Sequence, residues 1–105
     1  MWDPSLINRG RVVDRSGTIA VADGSQVLSG ENPSRTYFFV QNPSSSSESL
    51  FVNLTSAAST SANNSYELLP GSELMMCSYT FISIERVSVA ATTPGHAFVC
   101  KEMSS

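Results

Sequence analysis

The chain has 105 residues, of which 41% are hydrophobic and 14% charged, with a formal net charge of −3. That length suits one domain around one core and excludes two halves that fold independently. Its charge content lies well below the roughly 25% of ordinary domains, and 20 serines help to fill the gap, so a neutral, hydroxyl-rich surface is expected. Lys101 is the single lysine, and the five arginines include Arg9, Arg11 and Arg15 near the start. These are too few for the basic face that phosphates require, so no direct nucleic-acid partner is expected. With no apolar run of about 18 residues, a transmembrane helix and a membrane partner are not expected either.

In chain order, MWDPSLINRG lacks a basic segment followed by an apolar stretch, so it does not read as a secretion signal. Residues 1–16 read as an extended N-terminal arm, because Pro4 and Gly10 oppose a continuous helix. Trp2, Leu6 and Ile7 beside Arg9 and Arg11 form a composition suited to a protein interface. The arm could dock on a neighbouring subunit, fold back over its own domain, or fray.

Residues 17–105 carry short β-branched and aromatic runs separated by Gly, Pro, Asn and Ser. Strands are expected over 18–22 and 26–28, flanking a hairpin turn at Asp23-Gly24. The next are 35–41, 50–54 and 65–69, the last leading into Pro70-Gly71, a type II turn pair. Strands over 74–81, 86–91 and 97–102 complete the series, with a turn at Thr93-Pro94-Gly95. A helix over 72–93 is the competing reading. The alternation of Met75, Cys77, Tyr79 and Phe81, then Val87, Val89 and Ala91, favours strands, with a bend or bulge where the phase slips at Ile82 and Ile84. About eight strands with regular turn signals predict an all-β fold: a single antiparallel β-sandwich, jelly-roll-like or immunoglobulin-like. The serine run in Asn42-Pro43-Ser44-Ser45-Ser46-Ser47-Glu48-Ser49 then reads as an exposed loop inside one sandwich.

Catalytic signals are weak. His96 is the only histidine and follows Pro94-Gly95, which makes it a turn residue. No Gly-x-Ser-x-Gly elbow, paired-carboxylate pattern or glycine-rich phosphate loop occurs. Cys77 and Cys100 lie far apart without metal-ligand spacing and read as free, buried thiols. No catalytic residue, cofactor or metal is expected. Asn53-Leu54-Thr55 and Asn63-Asn64-Ser65 match a glycosylation acceptor pattern that chance supplies freely in such a composition.

Binding surfaces are better marked. Strand alternation puts Tyr37 and Phe39 on one face of 35–41 and Phe51 on the non-core face of 50–54. If these strands pair across the serine loop, Tyr37, Phe39 and Phe51 gather outside the sandwich as a protein interface. The alternative is that another layer of the same chain covers them.

The order RTYFFVQNPSSSSESLFVNL, SYELLPGSEL and ERVSVAATTPGHAFVCKE resembles small structural proteins of tailed bacteriophages. The points of likeness are Arg35 before an apolar strand, Gln41-Asn42 at its end, a serine-rich turn, Leu69-Pro70-Gly71, and the strands holding Val87, Phe98 and Val99. The likeness spans residues 17–102. It implies a non-enzymatic virion component, foremost a capsid decoration or cement protein. Such a protein would bind major capsid subunits or another virion protein as a homo-oligomer, on the virion surface after assembly in the host cytoplasm. Head-fibre, neck and tail components are the alternatives within that class. A glycan- or host-surface-binding module is the alternative outside it, using Tyr66 or Tyr79 with Asn63 and Asn64.

Overall fold

The computed structural model describes residues 11–61, 63–77 and 80–105. Among these residues nine strands are formed: β1 (Val13–Asp14), β2 (Gly17–Thr18), β3 (Gln26–Ser29), β4 (Arg35–Gln41), β5 (Leu50–Asn53), β6 (Tyr66–Leu68), β7 (Glu73–Met76), β8 (Val87–Ala90) and β9 (Ala97–Ser104). They make two antiparallel sheets. One has five strands in the order β1-β9-β4-β7, with β2 also on β9; the other has four in the order β3-β8-β5-β6. The described residues contain no helix, and the all-β sandwich class read from the sequence holds.

Local chemistry explains most elements. In β4, alternation sends Phe38 and Val40 into the core, where both are fully buried. Leu50 and Val52 of β5, Val87 and Val89 of β8, and Phe98 and Cys100 of β9 meet them from both layers. Pro70-Gly71 makes the expected turn: Gly71 has φ +88° and Ser72 N donates to Leu69 O at 2.8 Å. Gly95, at φ +85°, does the same work before β9, where His96 N donates to Thr93 O. Both cysteines are free; Cys100 is buried and Cys77 half-buried. Burial and the neighbouring Glu102 carboxylate push the Cys100 thiol up to about 12.

Two expected local pairings are replaced by longer ones. Asp23-Gly24 does turn, with Asp23 at φ 58°, but it joins β2 on β9 to β3 on β8, two strands of different sheets. The serine loop likewise joins β4 of the first sheet to β5 of the second, so those strands do not pair. The strand expected over 74–81 stops at Met76, and the chain then crosses to β8 through the segment where the phase slip was noted. Residues 13–14, assigned to the arm, pair with β9, so the expected boundary after residue 16 falls between two strands of one sheet.

A buried ion cluster ties the layers together. The register between β4 and β9 shifts between Arg35 and Tyr37. Alternation back from Phe38 would turn Thr36 inward; the extra residue turns Arg35 inward instead. The fully buried Arg35 donates from Nε to Glu102 Oε2 at 2.7 Å. Its Nη1 donates to Ser83 O (2.6 Å) and Glu85 O (2.9 Å), and its Nη2 to Ser29 Oγ and Gly30 O (both 3.1 Å). All five guanidinium donors are therefore used. Glu102 also accepts from Arg15 Nε at 2.6 Å and Ser29 Oγ at 2.8 Å. Burial pushes the Glu102 carboxyl up, but the hydrogen bonds from Arg35, Arg15 and Ser29 outweigh it and hold it below its ordinary 4.5.

Arg35→Leu would strand three carbonyls and leave the Glu102 charge to the half-exposed Arg15 and to Ser29, and is expected to cost about 3 kcal/mol in urea denaturation. The double variant Arg35→Leu/Glu102→Leu recovers a large part of that loss. Because folding lowers the Glu102 pKa, its contribution is whole above pH 4.5 and is lost as pH falls through the folded value. The acid limb of the stability–pH curve should therefore flatten in Glu102→Gln; an unchanged limb would assign acid sensitivity to other groups.

Candidate interaction surface

The outward face of the five-stranded sheet is built by the same alternation that fills the core. Tyr37 stands opposite Met103, and Phe39 lies between Lys101 of β9 and Met75 of β7. Gln41 lies between Val99 and Glu73. Tyr37, Phe39, Val99 and Met103 are half-buried and Met75 is 42% exposed. The result is a face with an apolar middle and polar residues around it, a composition that favours protein contacts. Burial and the Glu73 carboxylate push the Tyr37 phenol above its ordinary value, so it stays a neutral hydrogen-bond donor.

At one edge of this face, Lys101 Nζ meets Asp14 Oδ2 at 3.1 Å. Hydrogen bonds from Ser16 and this lysine hold the Asp14 carboxyl down at about 2. The pair fastens β1 to β9, and the exposed Arg11 precedes it on the same edge. Trp2, Leu6, Ile7 and Arg9 lie outside the described residues.

Phe51 does not join Tyr37 and Phe39, because β5 belongs to the other sheet. It stands outward between Ala90 of β8 and Glu67 of β6. The segment over residues 54–61 crosses that layer: Ala58 N donates to Ser25 Oγ at 3.0 Å, and Thr60 Oγ1 to Asp23 Oδ1 at 2.8 Å. Ser88 and Ala90, outward by alternation, are fully buried there. Among the described residues, a loop covers the outer face of the four-stranded sheet, and none of the contacts above crosses the outer face of the five-stranded sheet.

Asn53 roots this loop. Its Oδ1 accepts from Thr55 N (2.9 Å) and Ser56 N (2.8 Å), and its Nδ2 donates to Asn64 O at 2.7 Å. The buried Asn53 is therefore committed to structure. Beside it opens a cleft of about 580 Å³ between Tyr66 and Phe81, walled by Thr55, Asn63, Asn64 and Ser83. Tyr79 lies outside the described residues.

The serine loop and His96 meet at the other end of the sandwich. Asn42 is fully buried and donates from Nδ2 to Glu48 O (2.9 Å) and Leu68 O (2.8 Å). Its Oδ1 must then accept, so the His96 Nε2 found 2.8 Å away carries the proton. That nitrogen is also the one 3.5 Å from Ser46 Oγ, and its committed proton leaves no lone pair to activate the hydroxyl. Glu48 accepts from Thr92 and Thr93, and these bonds hold its carboxyl below the ordinary value. The half-buried His96 positions a loop in this arrangement. Among the described residues, no cluster of three or more His, Cys, Asp or Glu side chains is placed to hold a metal ion, and no helix is long and apolar enough to cross a membrane.

The Asn42 network makes a stability prediction. Asn42→Ala leaves two carbonyls and the His96 ring without their partner and should cost about 2–3 kcal/mol by urea denaturation. A loss within experimental error would show that water replaces the amide.

Comparison of the chain with protein-family models, with curated proteins and with solved structures gives no match.

Proposed function

We propose that this chain is a non-enzymatic structural protein of a tailed-phage virion, acting as a capsid decoration or cement protein. The observation that supports this reading is the open face of the five-stranded sheet, where Tyr37, Phe39, Met75 and Met103 stand side by side. An apolar sheet face that lines neither main cleft among the described residues suits another protein surface better than a small molecule, which prefers a concave site. The sequence upstream of Arg11, with Trp2, Leu6, Ile7 and Arg9, joins the domain at an edge of this same sheet. Arm and face would together grip a junction between major capsid subunits. The resemblance of residues 17–102 to small phage structural proteins points the same way.

The mechanism is passive. A protein that binds only the assembled, expanded shell stabilises it by mass action. Copies at symmetry-related positions, associating as a homo-oligomer, add many modest contacts. The low charge and abundant hydroxyls suit a part that faces solvent once docked.

Purified phage heads provide the test. The chain should co-purify with heads at a fixed, high ratio to the capsid protein. Tyr37→Asp and Phe39→Asp should each weaken binding to stripped heads by about 2 kcal/mol or more, and removal of residues 1–10 should weaken it further. A copy number far below that of the capsid protein would move the assignment to neck, tail or fibre. Heads that bind the variants as tightly as the parent would defeat the docking face.

A further inference from the structure

We infer that the cleft between Tyr66 and Phe81 is a binding site for a neutral saccharide. Two large aromatic side chains flank it, and both are half exposed: Tyr66 at 52% and Phe81 at 50%. Neither is spent on the core, although residues of this size are among the most rewarding to bury. Along it, Asn63 and Asn64 supply amide groups that donate and accept, and Thr55 and Ser83, whose hydroxyl protons bind Asn53 Oδ1 and Leu54 O, supply acceptor oxygens. This is the pairing a sugar ring calls for: an apolar C–H face that lies on an aromatic ring, and an edge of hydroxyls that needs bidirectional hydrogen bonds. Among the described residues, no charged one lines the cleft. A phosphorylated or acidic ligand would find no cation there, which narrows the class to uncharged sugars.

The volume, about 580 Å³, lies within the range of small-molecule sites and admits a short oligosaccharide. The cleft is also held in shape before any ligand arrives. Asn53 fastens Thr55, Ser56 and Asn64 around its base, and Ser83 Oγ donates to Leu54 O at 3.0 Å across its floor. Preformed walls reduce the ordering cost of binding. The site sits on the four-stranded layer, away from Tyr37 and Phe39, so it stands independently of the docking role proposed above.

The test is an amide-resolved NMR titration of the intact chain with maltotriose, cellotriose, chitotriose and a galactose trisaccharide, and with sialyllactose as the charged comparison. At least one neutral sugar should shift the Thr55, Asn63, Asn64 and Ser65 amides in the millimolar range, more strongly than sialyllactose. Tyr66→Ala and Phe81→Ala should each weaken that binding about tenfold, while Tyr37→Ala leaves it unchanged. Both altered side chains are half exposed, and an undisturbed spectrum elsewhere would confirm the fold. If no neutral sugar shifts these amides, or if the shifts survive both substitutions, the inference fails. Preference for sialyllactose would overturn the assignment to neutral sugars.

Discussion

The contact between Arg35 and Glu102 is the constraint around which the rest is arranged. One guanidinium reaches the carboxylate of β9, the hydroxyl of β3 and the carbonyls of the crossover at Ser83 and Glu85. It thereby joins both sheets and the segment between them. Charges so buried are tolerated only when every donor and acceptor is matched. That requirement explains two irregularities. The bulge in β4 turns Arg35 inward, and the register shift between β3 and β8 brings Ser29 to the same place. The ring of Phe38, 5.2 Å from the guanidinium carbon, completes the enclosure.

With this cluster at one end and the Asn42 amide at the other, the apolar core between needs little charge elsewhere. The remaining polar surface can be hydroxyl-rich, and the two layers take different tasks. The four-stranded layer is covered by its own loop and opens only at the cleft beside Tyr66. The five-stranded layer keeps an open apolar face whose rim is set by Asp14 and Lys101. A small sandwich can in this way present a docking side and a ligand side without enlarging its core.

Much of the fold was legible in the sequence because turns and alternation are local. β4 occupies the expected residues 35–41, and Pro70-Gly71 and Gly95 make the turns their chemistry requires. What was not legible was which strands become neighbours. Asp23-Gly24 and the serine loop carry hairpin chemistry, yet turn residues report a backbone conformation and not the sheet in which the chain continues. Arg35 shows the same limit: a lone arginine before an apolar strand gives no sign that a bulge will bury it, or that its partner lies 67 positions onward. At the surface, Tyr37 and Phe39 were marked by alternation, but Phe51 was misplaced once the pairing of β4 with β5 failed. Asn63, Asn64 and Tyr66 were noted from residue type. Phe81 reads as a strand residue, but β7 ends at Met76 and Phe81 lines the cleft.

The position of β9 carries a consequence for synthesis. This strand pairs with β1 and β2 along one edge and with β4 along the other, and it supplies Glu102. It also follows all the other described strands in chain order. A nascent chain that has emerged as far as β8 can form the four-stranded sheet, but it holds Arg35 without its carboxylate and β4 without its longest neighbour. Loop closure over such separations costs entropy before any contact repays it. β4 therefore lacks one of its two neighbours, and Arg35 its carboxylate, until β9 emerges from the ribosome, and that interval is when the chain is most open to chaperones and to aggregation.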